Sequence, residues 1–231
     1  EARAEHDAED RGHRNRRHLK TAVNVQMTGA IRTVSSQAAE NGPMLAAVLA
    51  EVQRRERGFD DRLHVLLEDV GVHFEAQGAD LPKERRALLG KNLAAVLREN
   101  PEAHVRPGEI AMPASALLAD SPLGSGPIVG EIVERYARRR RCAAREAVAP
   151  FLADYAAATV PGMLMLMTRY GIGLEGHLQN CVVVFHQAVP VRMLVRDMGG
   201  VLSLEPRLQR HGIAVRFLRD RWRTGEITPD W

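Results

Sequence analysis

Two valine-rich runs constrain this fold more than any other feature: residues 181–185 (Cys-Val-Val-Val-Phe) and 191–195 (Val-Arg-Met-Leu-Val). Each is dominated by residues that favour strands and is too short for an ordinary helix, and a short segment ending in Pro190 separates them. The expected unit is a β-hairpin. Most other apolar patterning is helical, so the chain reads as α+β, with helices packed against an antiparallel sheet and the informative hairpin near residues 175–200.

Residues 23–34 place Val23, Met27, Ala30, Ile31 and Val34 as a helix with one buried side would, which sets Thr28 and Arg32 on one face. Asn41-Gly42-Pro43 reads as a stop and restart, followed by a helix over 44–55 that Gly58 ends. Leu63, Leu66, Leu67 and Val70 mark a shorter apolar element, and Pro82 precedes a helix expected over 83–99. Residues 101–127 hold five prolines, which predicts a long loop with one helical turn near 115–119 and a coarse subdomain junction. A helical stripe then runs from Ile128 to Tyr155, bent or divided at Pro150, and Met163–Met167 closes a helix before Tyr170-Gly171. The expected division is a disordered or truncated arm at 1–18, one region over 19–110, and a second, incomplete region over 111–231 that carries the hairpin. Without an opening Met, and with an abrupt close at Trp231, the chain reads as a piece of a longer protein.

Composition narrows the function classes. Lys and Arg outnumber Asp and Glu by 32 to 29, and aromatics make up 4% of the chain, so no basic surface interleaved with stacking rings points to nucleic acid. The Arg138–Arg141 run reads as a solvated helix face. Cys142 and Cys181 cannot make a disulfide framework and have no CxxC spacing for zinc or an iron–sulfur cluster, so a reducing, cytoplasmic setting is expected. No uninterrupted apolar stretch reaches 18 residues, so no membrane span is expected.

The chemistry concentrates at the two ends of the hairpin. Leu174-Glu175-Gly176-His177-Leu178-Gln179-Asn180 precedes the first run, and Arg196-Asp197-Met198-Gly199-Gly200 follows the second. If residues 175–179 are extended, Glu175, His177 and Gln179 share a side, and an antiparallel return brings Asp197 back beside Asn180. Glu175, Asn180 and Asp197 offer hard oxygen ligands suited to magnesium, with nucleotide phosphates completing the shell. His177 is better read as a phosphate or substrate contact than as a zinc ligand, and taken alone it reads as a structural histidine. Burying so many polar groups purely as scaffold is costly, which favours a functional reading of the whole group. Lys20, Thr28 and Arg32 would add two cations and a hydroxyl to the same cleft.

On these residues the chain resembles the siderophore synthetases that work independently of non-ribosomal peptide synthetases, the IucA/IucC family. The family's Glu-x-His-x-Gln-Asn stands here as Glu175-Gly176-His177-Leu178-Gln179-Asn180, and its Arg-Asp with a nearby Gly as Arg196-Asp197-Met198-Gly199. Its upstream Lys, Thr, Arg pattern stands as Lys20, Thr28 and Arg32. The resemblance implies the fingers and palm portion of a cupped-hand fold, with 19–110 fingers-like and 111–231 palm-like. It implies an enzyme of siderophore biosynthesis and iron acquisition that uses ATP and Mg²⁺ to activate a carboxylate of citrate or succinyl type by adenylation. An amine, hydroxylamine or alcohol then condenses with the activated acid. By the same resemblance Lys20, Arg32 and His177 contact ATP phosphates or the carboxylate, and Thr28 positions the activated substrate. Gln179 lies close to nucleotide or substrate, Glu175, Asn180 and Asp197 organise magnesium and phosphates, and a homodimer is expected. The Ser-rich, Arg-Thr-containing phosphate-binding segment that the family carries before the lysine has no counterpart in Glu5-His6-Asp7-Ala8-Glu9.

Two other readings start from the same residues. Glu175 through Asn180, a hairpin, and then Asp197-x-Gly199 has the layout of a kinase catalytic loop followed by its metal-binding aspartate. Gln179 beside Asn180, and the lack of an upstream glycine-rich loop with a following strand lysine, stand against it. The other is an inactive nucleotide-binding partner.

Overall fold

The computed structural model describes residues 16–27, 30–56, 59–75, 81–124 and 126–214. The first part of the chain runs β1 (His18–Thr21), β2 (Gln26–Met27), β3 (Ala30–Ile31), α1 (Ser36–Arg55), α2 (Phe59–Arg62), β4 (Leu63–Val65) and β5 (Glu68–His73). Then come α3 (Lys83–Asn92), β6 (Ala94–Arg98), a 3₁₀ turn (Pro101–His104), β7 (Glu109–Pro113) and a second 3₁₀ turn (Ala114–Leu118). Next are α4 (Ile128–Arg140), α5 (Ala144–Met165), a π turn (Leu166–Tyr170), β8 (Ile172–Gly173), β9 (Cys181–His186), β10 (Val189–Val195), β11 (Leu202–Ser203) and α6 (Glu205–Arg210).

The valine-rich runs form the centre of a four-stranded sheet in the order β4-β10-β9-β7. The hairpin pairs Val195 with Cys181 and Val189 with His186, and β4 joins β10 in parallel while the other pairs are antiparallel. Val183, Phe185, Met193 and Val195 face one core with Leu49 and Val52 of α1, Tyr136 of α4 and Phe151 of α5. Val182, Val184 and Leu194 face the opposite side with Leu66. Burial on both faces is why the hairpin reads as continuous apolar runs rather than an alternation. Each buried valine contributes about 1.5–3 kcal/mol.

A second sheet, β1-β6-β5, is fully antiparallel, and α1 packs on β5. Ser35 caps α1, its hydroxyl accepting from the Ala38 N–H at 3.0 Å. The helix runs straight through Asn41-Gly42-Pro43, so the expected stop there is corrected. Pro43 has no N–H for the Ala39 carbonyl one turn earlier. That carbonyl oxygen lies against Gly71 of β5, where any Cβ would overlap it. The missing helix bond and the side-chain-free strand position together let helix and sheet backbones meet.

Other expectations change. Among the described residues of 23–34 there is no helix: Gln26 pairs with Ile31 and Met27 with Ala30, in a small antiparallel ladder that Arg32 closes onto Val23, Asn24 and Val25. The helix expected over 83–99 ends at Asn92, since the sheet recruits Ala94–Arg98 as its middle strand. The long helical stripe breaks at Arg141, whose positive φ of 56° ends α4, and Pro150 lies inside α5. The helical turn expected near 115–119 is the second 3₁₀ turn, and the helix end before Tyr170-Gly171 lies where the pattern put it. The expected boundary at 110/111 falls within β7. With its π turn, α5 covers Ala144–Tyr170 and is long and apolar enough to cross a membrane by length and composition, with 22% of its most apolar window buried. Charged residues interrupt the apolar run in the sequence but not the helix. Ala147 and Phe151 seat it in the core, and it packs on β10.

Candidate active site

Asp197 follows the end of β10, and Lys20 lies in β1 of the other sheet. The fold brings Lys20 Nζ to 2.5 Å from Asp197 Oδ2 across 177 residues of sequence. Asp197 adopts φ 78°, a left-handed conformation that costs a non-glycine residue about 1–2 kcal/mol. Its other oxygen accepts the Gly199 N–H at 3.1 Å, a local bond that aspartate is suited to make and that holds this turn. Burial on its own would raise the Asp197 pKa. The Lys20 charge and hydrogen bond, the Gly199 N–H and Arg98 outweigh it and hold the carboxyl below its usual value.

Behind the pair lies Glu68, the first residue of β5 and only 2% exposed. Its Oε1 accepts the Met198 N–H at 3.2 Å, and Oε2 lies against the backbone at Gly42. Burial pushes the Glu68 carboxyl up and the Asp197 charge reinforces that, against the Met198 N–H, Lys20 and Arg98. Arg98 ends β6, and its buried Nε has no hydrogen-bond partner among the described residues. Arg196 donates to the Gln179 carbonyl through Nε at 3.2 Å and Nη2 at 3.0 Å. Burial lowers the Arg196 pKa and the Arg98 charge lowers it further, with Asp197 opposing. Burial, Arg98 and Arg196 likewise lower His18, with Glu102 opposing. Lys20, Arg98 and Arg196 therefore gather positive charge around the Asp197 carboxylate, an environment suited to phosphate or carboxylate oxygens.

The segment before β9 is a turn, not the extended stretch expected. The N–H groups of Asn180 and Cys181 both donate to the His177 carbonyl, at 2.9 and 3.2 Å. This winds Asn180 inward to 3% exposure, where its Nδ2 donates to the Glu175 carbonyl at 3.1 Å. Glu175 and His177 stay half exposed, with Nε2 and Oε1 at 3.6 Å. The Glu175 carboxylate lies against Gly200, where a Cβ would collide with it. The two ends of the hairpin are thus in direct contact: Arg196 N–H donates to the Asn180 carbonyl at 2.9 Å, and Glu175 touches the loop after Asp197.

Among the residues singled out from sequence, Lys20 and Asp197 meet, and Glu175, His177, Gln179 and Asn180 gather at the adjoining turn. Arg32 is exposed on the β2–β3 ladder, and its described hydrogen bonds are backbone bonds to that ladder. Thr28 lies outside the described residues. Sequence reasoning missed Glu68 and Arg98. Neither stands in a motif, and only the β5–β6 register, which sets Glu68 opposite Arg98, brings them to the pair. The donor set of Asp197, Glu175 and Asn180 is all oxygen and suits Mg²⁺.

A mixed α+β chain of this topology matches the cupped-hand fold of known synthetases. Against the aligned structure of petrobactin biosynthesis protein AsbB from Bacillus anthracis the TM-score is 0.71 at 22% identity, covering 87% of this chain and 31% of that one. Against ATP-bound aerobactin synthetase IucA from Klebsiella pneumoniae it is 0.69 at 21% identity, covering 85% and 34%. The IucA / IucC family model matches residues 9–119, and that of the ferric iron reductase FhuF-like transporters matches residues 149–228. D-ornithine–citrate ligase of Staphylococcus aureus is 29% identical over 189 residues, and staphyloferrin A synthase of the same organism is 30% identical over 183. The chain is homologous to the IucA/IucC-family siderophore synthetases. It spans about 28% of the length of these two curated relatives.

Proposed function

We propose that this chain forms part of the nucleotide and carboxylate site of an ATP-dependent, AMP-forming siderophore synthetase. The observation that carries this reading is the Lys20–Asp197 pair at 2.5 Å, set among Arg98, Arg196 and the Glu175–Asn180 turn. The cation and the carboxylate neutralise each other in this pair. Mg²⁺ with a nucleotide would offer each a partner of opposite charge, the ion to Asp197 and the phosphates to Lys20. Asp197 and Glu175, with the Asn180 amide oxygen, would hold the ion, which when bound screens the phosphate charge that otherwise repels an approaching carboxylate. Lys20 and His177 contact phosphate or carboxylate oxygens, and Gln179 lies beside nucleotide or substrate. Arg32 and Thr28 belong to this assignment through the family pattern alone.

In the proposed reaction a carboxylate oxygen of a citrate- or succinyl-type acid attacks the α-phosphorus and pyrophosphate leaves. An amine, hydroxylamine or alcohol then attacks the acyl carbon and AMP leaves. Fixed cations lower the barrier of the first step by meeting charge as it gathers. The partners are these small molecules and a second copy of the protein. The free thiols Cys142 and Cys181 support a cytoplasmic setting. The test is carboxylate-dependent release of AMP and pyrophosphate by the protein carrying this chain, across citrate and dicarboxylic half-amides. Formation of ADP instead would favour the kinase-like reading, and nucleotide binding without turnover the inactive partner.

A further inference from the structure

A second cluster of chemistry lies outside the site just described. His64 sits in β4, Glu99 directly follows β6, and His104 ends the first 3₁₀ turn. His64 Nε2 lies 3.1 Å from Glu99 Oε2 and His104 Nε2 lies 3.4 Å from the same oxygen. All three ligand atoms fall within 4.8 Å of one another. In a tetrahedral zinc site with bonds of about 2.0–2.2 Å, neighbouring ligand atoms stand about 3.3–3.6 Å apart. The two separations from Glu99 are close to the edges of such a tetrahedron, and for both Nε2 atoms to face one ion the stacked imidazoles must swing apart about the carboxylate.

The cluster is also built. The imidazoles of His64 and His104 lie face to face, with ring centroids 3.8 Å apart and planes tilted by 31°, and both present Nε2 to one carboxylate. The His104 carbonyl accepts from Arg192 Nη2 at 2.7 Å, and the same nitrogen bonds Glu109 Oε2 at 2.7 Å. Arg192 is 3% exposed, so this backbone anchor is rigid. The Leu67 N–H donates to Glu99 Oε2 at 3.0 Å, fixing the carboxylate from the β4–β5 connection. The three side chains are 13%, 16% and 24% exposed, enclosed yet reachable.

We infer that His64, Glu99 and His104 form a binding site for a divalent transition ion of the zinc class, separate from the magnesium and nucleotide site. Two imidazoles and one carboxylate form a ligand set that zinc accepts, and a fourth position remains for water or another ligand. On binding, each neutral imidazole turns its Nε2 lone pair to the ion and carries its proton on Nδ1. The ion would clamp β4, the end of β6 and the 3₁₀ turn, and Glu99 is the direct neighbour of Arg98. The inference does not depend on the proposed reaction.

The experiment is equilibrium dialysis of the folded chain against ZnCl₂, with bound metal measured by mass spectrometry and the coordination read from the visible absorption of Co²⁺ in place of zinc. One equivalent of four-coordinate metal is expected. Glu99→Gln and His104→Gln should each weaken binding at least about tenfold, while His73→Gln, whose imidazole pairs with Glu40, leaves it unchanged. Absence of saturable zinc binding by the wild-type chain overturns the proposal, as does undiminished affinity in both ligand variants with native circular dichroism. If the variants fail to fold, imidazole nitrogen resonances of the wild-type chain decide: zinc must shift those of His64 and His104, and an unshifted pair overturns it.

Discussion

At the residue scale, Asp197 is where backbone, charge and chemistry meet. It adopts a left-handed conformation, accepts a bond from Gly199 and carries the partner of Lys20. Asp197→Asn keeps the shape and the local turn but removes the charge. It should lower carboxylate-dependent AMP release by at least about a hundredfold while circular dichroism stays native. Wild-type turnover in that variant would end the proposed role. Glu51 offers a test away from the site. Hydrogen bonds from Arg54 and Arg55 bring its pKa from 4.5 down to about 2. A carboxyl with a depressed pKa adds stability above its unfolded value, and that contribution is lost as the pH falls from near 4.5 toward 2. The pair is exposed, so the effect on unfolding is small. The direct measurement is a carbon-13 titration of the Glu51 carboxyl, which should show a midpoint near 2 that rises when Arg54 and Arg55 are both replaced by alanine.

At the scale of elements, the contact between α1 and β5 depends on the absence of a side chain at Gly71, because the Ala39 carbonyl occupies that space. Gly71→Ala should destabilise the chain by about 1–3 kcal/mol in denaturant unfolding, since backbone on both sides must move apart. Stability equal to wild type would mean that helix and strand are farther apart than described. The hairpin turn makes the opposite case. Gln187 and Ala188 have φ of 49° and 68°, the conformation of a tight hairpin turn, with alanine where glycine is preferred. Ala188→Gly should stabilise by about 0.5–1 kcal/mol, read as a higher unfolding midpoint at constant slope.

At the scale of the whole molecule, the candidate site belongs to neither sheet alone. Lys20 comes from β1, Glu68 from β5 and Asp197 from beyond β10, so the active geometry exists only while the two sheets keep their relation. A nucleotide with Mg²⁺ that opens the Lys20–Asp197 pair should therefore stabilise the folded protein carrying this chain. At a hundredfold excess over the dissociation constant the gain is about 2.7 kcal/mol, visible as a higher melting temperature. Asp197→Asn should abolish most of that gain. A magnesium-dependent shift of equal size in the variant would place the ion on other residues.

The hairpin was legible because β-branched residues crowd into two short runs, and the motifs at its ends because polar side chains interrupt apolar ones. Lys20 and Asp197 could be named separately from the sequence, as could Glu175 and Asn180. What the chain could not declare was pairing. Residues 26–27 and 30–31 lie in a helical spacing yet pair as a ladder, and residues 94–98 leave a helical stripe to become the middle strand of a sheet. Short apolar segments satisfy either period, and the neighbour that completes their hydrogen bonds decides between them. Glu68, Arg98 and the His64–Glu99–His104 cluster are invisible in one dimension for the same reason. Local sequence determined which segments bury and where polar groups break in, whereas long-range register, which no single segment encodes, decided which charges face each other.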